Sequence, residues 1–151
     1  MRFVMVDRIV DLVPGKLIRT IKNVSSSEDY FNDHFPGLPI MPGALILECI
    51  IQSAILMLSA GEGFAYQPVV TRIQRAAFKH FVRPGDQLMV RCEAHDRGVV
   101  LSSAVVEGLP VAEVRVEIAR GPDLAADNPI RRMYDALKID PNELVRRIGE
   151  S

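Results

Sequence analysis

Residues 34–52 constrain the fold more than any other stretch of the chain. They begin as a loop that cannot be helical, because its prolines remove backbone donors and push the preceding residues towards extended geometry. Its glycines permit backbone turns that other residues resist. The prolines and glycines of this loop are Pro36, Gly37, Pro39, Pro42 and Gly43. From Gly43 to about Ala60 the sequence is apolar on every helical face, which predicts a buried helix.

The predicted helix carries an acidic side chain, Glu48, in its second turn. A buried carboxylate is costly unless it is used chemically or paired. Pro42 favours a helix start at this point, since the missing N–H of a proline costs nothing in the first turn. The apolar stretch 44–58 is interrupted by Glu48 and Gln52 and is too short to be a convincing membrane span.

Length and composition indicate one soluble domain. The chain has 151 residues, with 48% hydrophobic and 25% charged side chains, which is ordinary for a globular protein. Its formal net charge of −1 argues against a general nucleic-acid binder.

The cysteines and the start of the chain predict where the protein works. Cys49 and Cys92 have no metal-ligand spacing, so we interpret them as buried thiols in a reducing compartment and expect no metal site. No signal-peptide pattern is expected at the start, because Asp7 and Arg8 break the first apolar run. We therefore expect a cytoplasmic protein.

The order of the predicted elements favours an α+β fold. Two strands come first, at about residues 3–13 and 16–24, with the Pro14-Gly15 turn between them. A polar break follows that could cap a short helical turn near Tyr30, and the long helix comes next. After the helix four antiparallel strands are expected, and Gly121-Pro122 should end the sheet. They are Pro68 to Phe78, Leu88 to Ala94, Val99 to Glu107 and Ala112 to Ile118. A curved antiparallel sheet wrapped around the one long buried helix satisfies this order. One sheet covers only part of such a helix, so we expect a dimer.

The C-terminal part of the chain predicts a helical extension. We divide the chain into a domain at 1–120 and an extension at 121–151. Residues 121–128 have the composition of a linker. Two short helices should follow, Pro129 to Lys138 and Pro141 to Ile148, and Asp140 is the expected N-cap of the second.

His34, Gly43 and Glu48 form the candidate chemical site. His34 has the only side chain of the 34–52 stretch that titrates near neutral pH. Gly43 lies at a helix start, where free N–H groups and the helix dipole favour negative charge. Glu48 lies about 7.5 Å further along the helix axis. These groups suit removal of a proton next to a carbonyl, with loss or gain of water. On these residues alone a hydrogen-bonded loop histidine and a paired core carboxylate are the more ordinary interpretation, and the catalytic one is the alternative.

A family resemblance runs over about residues 4–119. The segments that carry it are His34-Phe35-Pro36-Gly37, Pro39-Ile40-Met41-Pro42-Gly43, Glu48 with Gln52, Val6-Asp7-Arg8, Lys22-Asn23-Val24-Ser25, and Phe78-Lys79 with Arg83-Pro84-Gly85-Asp86-Gln87. With these segments the chain resembles the (3R)-3-hydroxyacyl-[acyl-carrier-protein] dehydratases of the FabZ type, which are hotdog-fold enzymes of fatty acid synthesis.

The resemblance implies roles for the central residues. His34 would act on the α-proton of the substrate, and Glu48 would serve the departing hydroxyl, directly or through water. Glu48 favours the FabZ side, because the related FabA-type enzymes have Asp at that position. The N–H of Gly43 would bind the thioester carbonyl, and each site would join His34 of one subunit to Glu48 of the other. The family needs no cofactor or metal.

Further residues of the 34–52 stretch surround the candidate chemical groups. Gln52 lies one turn after Glu48 and either orients it or is a polar residue at a dimer contact. We expect Phe35, Ile40 and Met41 to line the substrate tunnel or the core. Asp33 and Cys49 depart from the usual Gly and Ala of the family, which leaves the acyl length open. Cys49 is interpreted as core packing.

The resemblance also implies an acidic acyl carrier protein as partner and a homodimer or a trimer of dimers, with no nucleic-acid or membrane partner. A basic rim is therefore expected, and its candidates are Arg72, Arg75, Lys79 and Arg83, against the alternative of scattered surface charge. We interpret Arg131-Arg132 and Arg146-Arg147 as exposed faces of amphipathic helices. Two other functions stay under consideration, a hotdog thioesterase and a non-catalytic acyl-binding partner of a dehydratase complex.

Overall fold

The structure is a computed structural model that describes residues 3–138. Six strands form one antiparallel sheet in the order β1-β2-β4-β5-β6-β3. The strands are β1 Arg8–Val13, β2 Leu17–Asn23, β3 Tyr66–Phe78, β4 Gln87–Ala94, β5 Val99–Val106 and β6 Leu109–Asp123. The helices are α1 Gly43–Gly61 and α2 Pro129–Leu137, and 3₁₀ turns lie at Asp29–Asn32 and Asp96–Gly98. The predicted α+β order of elements is confirmed.

The long helix α1 lies against the sheet and contacts every strand from β2 to β6. The sequence favoured Pro42 in the first turn of this helix. In the structure Pro42 is instead the N-cap, with extended geometry, and the helix begins one residue later, at Gly43. Its inward side is fully buried and includes Ile50, Ala54 and Leu56. Length and composition alone would let α1 cross a membrane, but half of its most apolar window is already buried in this chain. A core helix of a soluble protein meets the same criterion.

The sequence predicted that helix α1 is buried on all sides, and within residues 3–138 it is not. The sheet covers one side of the helix, and Leu47, Ile51 and Ile55 on other positions are only half-buried. Polar contacts fix the covered side: the Thr20 and Ser53 hydroxyls are hydrogen-bonded at 2.7 Å between β2 and α1. Because both hydroxyls are buried, this bond satisfies groups that would otherwise be costly to bury.

The sequence predicted that the sheet ends at Gly121-Pro122, and this prediction is wrong. Strand β6 continues to Asp123, which pairs with Tyr66 of β3. The last pairing of β6 with β5 joins Glu117 to Val99, so beyond that point β3 is the only strand within residues 3–138 that pairs with β6. A proline is tolerated there, because one side of the strand needs no donor.

Helix α2 confirms the first of the two predicted C-terminal helices. Its apolar residues pack against the core, and they are Ile130, Met133, Tyr134 and Leu137. Arg131 and Arg132 are exposed and lie near Asp135 and Asp127, as expected for the outer face of an amphipathic helix. The second predicted helix, Pro141 to Ile148, and the Arg146-Arg147 pair lie outside the described residues.

Candidate active site

His34 is held from both sides by the backbone of its own loop. Its N–H donates to the Tyr30 carbonyl at 3.0 Å, and its carbonyl accepts from the Ile40 N–H at 3.0 Å. The Tyr30 carbonyl belongs to the 3₁₀ turn Asp29–Asn32, whose Phe31 is buried in the core. The Met41 N–H donates to the Val82 carbonyl at 2.8 Å, which ties the end of this loop to the segment after β3. The histidine therefore lies on a loop that is anchored at both ends.

The side chain of His34 has a defined tautomer. Its Nδ1 lies 2.9 Å from the Ile40 carbonyl oxygen. A carbonyl oxygen only accepts, so Nδ1 carries the proton. In the neutral ring Nε2 then keeps its lone pair and is available as a base. The Phe35 ring stacks on the imidazole with centroids 4.1 Å apart and is itself 49% exposed.

Glu48 is oriented by Gln52, as one of the two sequence interpretations proposed. The Gln52 Nε2 donates to the Glu48 Oε1 at 2.8 Å, one helical turn away. The orientation of the Gln52 amide is fixed in turn by the N-terminal segment. The Met5 N–H donates to its Oε1 at 2.8 Å, and Nε2 also donates to the Phe3 carbonyl at 3.1 Å. Because the Met5 N–H can only donate, the amide nitrogen must face Glu48.

Gly43 is the first residue of α1 and lies against an aromatic ring. A Cβ at this position would lie 3.4 Å from the ring of Phe78, at the end of β3. Sequence analysis did not assign a role to this ring, since no local pattern reports a contact between residues so far apart in the chain. The glycine thus keeps the space between the helix start and Phe78 free of side-chain atoms.

Ile40 and Met41 are buried, with 6% and 3% exposure, and Met41 belongs to the main core cluster. The cysteine beside the site is also a core residue. Burial raises the pKa of the Cys49 thiol to about 12, which keeps it protonated and unreactive at neutral pH. The burial of Ile40, Met41 and Cys49 fits residues that line the core or the substrate tunnel better than residues that take part in the chemistry.

The structure does not join His34 to Glu48 within one chain. Among the described residues, no hydrogen bond or ion pair connects the two side chains. Within residues 3–138 no cluster of His, Cys, Asp or Glu is arranged to hold a metal ion. The candidate basic-rim residues Arg72, Arg75, Lys79 and Arg83 are all exposed, and Lys79 pairs with Glu113 at 2.7 Å.

Sequence comparisons decide the family. A family model described as FabA-like domain matches residues 1–115. The 3-hydroxyacyl-[acyl-carrier-protein] dehydratase FabZ of Syntrophotalea carbinolica is 41% identical over 126 residues, which cover 80% of this chain and 86% of the relative. The FabZ of Caldicellulosiruptor saccharolyticus is 40% identical over 116 residues, with 74% and 83% covered. This chain belongs to the FabZ-type dehydratases.

Solved structures confirm the hotdog fold of this FabZ-type chain. The dehydratase heterocomplex ApeI:P from Xenorhabdus doucetiae matches with a TM-score of 0.63 at 15% identity, over 74% of this chain and 96% of that chain. A hypothetical thioesterase with coenzyme A from Streptococcus pneumoniae matches with a TM-score of 0.60 at 12% identity, over 78% and 88%. At these identities the likeness concerns the fold alone, so the FabZ-type assignment rests on the sequence relatives.

Proposed function

We infer that this chain dehydrates (3R)-3-hydroxyacyl thioesters on acyl carrier protein to trans-2-enoyl thioesters, in fatty acid synthesis. The observation that carries this inference is the fixed tautomer of His34 on the loop that bears the FabZ-type signature. An imidazole with Nε2 free and Nδ1 bonded to a carbonyl is the form that a general base requires.

We propose the following roles for the site residues. Nε2 of His34 takes the proton from the α-carbon, and the electrons of that C–H bond form the new double bond as the β C–O bond breaks. Protonated Glu48 gives its proton to the departing hydroxyl, which leaves as water. The N–H of Gly43 donates to the thioester carbonyl, where negative charge builds up in the transition state. Gln52 orients Glu48, and Phe35, Ile40 and Met41 line the acyl site.

We propose that two chains complete each site, with His34 from one and Glu48 from the other. The lack of a bond between these groups within the described part of one chain supports this arrangement, as does the half-buried side of α1. The edge strand β3 supports it as well, because nine of its 13 residues are exposed. A long unpaired edge strand is a template for pairing with a second chain. The assembly is then a homodimer or a trimer of dimers.

We further propose that the protein is cytoplasmic, works without a cofactor, and docks an acidic acyl carrier through the exposed arginines after α1. The division into a dehydratase domain at 1–120 and a helical extension at 121–151 belongs to the same proposal. Buried free thiols support a reducing compartment.

The test of the reaction is hydration of a trans-2-enoyl thioester by the purified protein. His34→Ala and Glu48→Gln should each lower the rate by roughly 10²–10⁴-fold, because each removes a proton-transfer group. Circular dichroism and melting temperature should stay near the wild-type values. Near-wild-type turnover in either variant would refute the role of that residue. Release of free thiol without hydration would identify a thioesterase instead.

The test of the shared site is the oligomeric state of an edge-strand variant. Ile73 is 47% exposed and lies opposite Val116, on the face of the sheet that carries α1. Ile73→Lys should give a monomer by light scattering and abolish hydration. Val10→Lys introduces the same charge on the opposite edge strand β1, where Val10 is 36% exposed, and should leave both unchanged. A monomeric, fully active Ile73→Lys protein would overturn the shared site.

A further inference from the structure

Lys22 is a buried cation that the reaction does not use. It lies on β2 with 8% exposure, and Thr20, two residues earlier on the same face, bonds to α1. Its Nζ lies 2.9 Å from the Glu28 Oε1 and 3.7 Å from the Asp7 Oδ2. Lysine is almost never buried unless it is paired, and pairing accounts for its burial in this case.

The charge of Lys22 is retained in the fold. Burial alone would lower the pKa of Lys22, but the hydrogen bond to Glu28 and the negative charges of Asp7 and Glu28 together raise it. This ion pair is nonetheless weak evidence for stability, since the cost of desolvating the buried ammonium offsets much of its attraction to the partly exposed carboxylates. A role in fixing one arrangement of the chain is the better explanation for keeping this pair.

The ion pair leads directly to the catalytic loop. Glu28 is the N-cap residue of the 3₁₀ turn Asp29–Asn32, and its carbonyl accepts from the Phe31 N–H at 3.1 Å. The Tyr30 carbonyl of the same turn accepts from the His34 N–H at 3.0 Å. A single short turn therefore separates the Lys22–Glu28 ion pair from the backbone of the histidine.

Asp7 fixes the other end of this arrangement. Its Oδ2 accepts from the Asn23 N–H at 2.7 Å, and its own N–H donates to the Ile21 carbonyl at 2.8 Å. The Lys22 ammonium therefore contacts two carboxylates. One is that of Asp7, which is also bonded to the backbone of β2, and the other is that of Glu28, which begins the 3₁₀ turn. The sheet is in this way coupled by a side-chain ion pair to the turn that precedes the His34 loop.

We propose that Lys22 is a positioning residue for His34, and that its ion pair with Glu28 sets where the imidazole meets the α-carbon of the substrate. The catalytic part of this inference rests on the proposed function, in which His34 is the base. Misplacement of a reacting group by about 1 Å costs on the order of 10²-fold in rate, so a distant pair can matter.

The test compares Lys22→Met, Glu28→Gln and the double variant with wild type. Met keeps most of the volume of Lys, and both carboxylates are partly exposed, so water can replace the lost ammonium. Each single variant should lower kcat by roughly 10–100-fold with KM within about twofold, and the double variant should lose little more, as expected for coupled residues. Glu28→Gln keeps the test decisive if Lys22→Met folds poorly, because the Glu28 side chain is 29% exposed.

Thr20→Val is the matched control. It removes a buried hydrogen bond on the same strand and face, so it should lower the melting temperature but leave kcat near wild type. A kcat for Lys22→Met within about twofold of wild type would overturn the proposal. An equal fall in kcat for Thr20→Val would overturn it as well, since general destabilisation would then explain both.

A second readout does not depend on activity. The ring nitrogens of His34 can be followed by NMR, with the other two histidines, His80 and His95, as internal controls because both are exposed. Lys22→Met should shift the His34 ring signals and leave those of the controls unchanged. Unchanged His34 signals would overturn the proposal. If the wild-type protein does not hydrate enoyl thioesters, the proposed function fails, and this spectrum still decides whether Lys22 positions His34.

Discussion

At the scale of single residues, the site depends on groups whose orientation is dictated by partners that can only donate or only accept. The Ile40 carbonyl forces the proton of His34 onto Nδ1, and the Met5 N–H forces the amide nitrogen of Gln52 towards Glu48. Neither orientation depends on the substrate. In the proposed reaction the base and the acid are therefore preorganised, which would lower the reorganisation needed in the transition state.

Gly43 provides a prediction at the same scale. Gly43→Ala should lower kcat/KM by about tenfold, because the added methyl would fill the space between the helix start and the Phe78 ring, beside the N–H that we propose binds the thioester carbonyl. Stability should not fall, since alanine has a higher helix propensity than glycine by about 1 kcal/mol. Steady-state kinetics and thermal melts measure both. Phe78→Leu on this background should restore part of the activity, and an unaffected kcat/KM in Gly43→Ala would remove the carbonyl-binding role.

At the scale of elements, the sequence predicted those whose limits are set locally. Pro42 and the apolar run after it located α1 within a residue, and the Pro14-Gly15 turn located the first hairpin. The predicted end of β6 was wrong, because the effect of Pro122 on the strand depends on whether β5 still pairs with β6 at that position. Lys22 was not recognised as a buried residue, since a lysine in a strand usually faces solvent and its two carboxylate partners come from other segments.

The attachment of α2 gives the prediction at this scale. Asn128 is buried; its Oδ1 caps α2 by accepting from the Arg131 N–H, and its Nδ2 donates to the Phe64 carbonyl at 3.2 Å. Phe64 has a φ of 61°, which is strained for a residue other than glycine, so α2 holds an unfavourable backbone in place. Asn128→Ala should lower the free energy of unfolding by about 2 kcal/mol, because both the cap and the carbonyl partner are lost.

Urea unfolding measures this change, and Asn128→Ser is the matched variant. Serine keeps an N-cap oxygen but is too short to replace the bond to Phe64, so about half of the loss should remain. Hydration activity should persist in both variants, since the contacts of Asn128 are with the residues after α1 and not with the His34 loop. Equal stability of the alanine variant and wild type would show that α2 does not stabilise the fold.

At the scale of the whole molecule, the sequence predicted which residues act, and this stays a prediction, but it did not predict how they are held. The His34 and Glu48 signature is local and could be recognised from spacing. The contacts that orient it join distant segments, such as Met5 to Gln52 and Phe78 to Gly43, and no periodicity reports them. Long-range side-chain contacts of this kind follow from the packed sheet and helix, so they could be known only from the structure.

The pH dependence of stability tests the packed core as a unit. Burial raises the pKa of the Cys49 and Cys92 thiols from 9.0 to about 12. Above about pH 9 the unfolded chain releases these protons while the folded chain keeps them, so the unfolded state binds fewer protons and the free energy of unfolding falls as pH rises. The stabilisation is fully present below pH 9 and is lost progressively towards pH 12. The raised pKa of Lys22 acts in the same direction above its ordinary value of 10.5.

Urea midpoints between about pH 8 and pH 10.5 should therefore decrease steadily in the wild-type protein. The Cys49→Ala/Cys92→Ala variant should start from a lower stability, because it leaves small cavities, but its midpoints should decrease less steeply over the same range. The difference between the two slopes isolates the thiols from lysines and tyrosines, which titrate in both proteins. Parallel slopes would mean that the thiols reach water before global unfolding, and that the core opens locally around them.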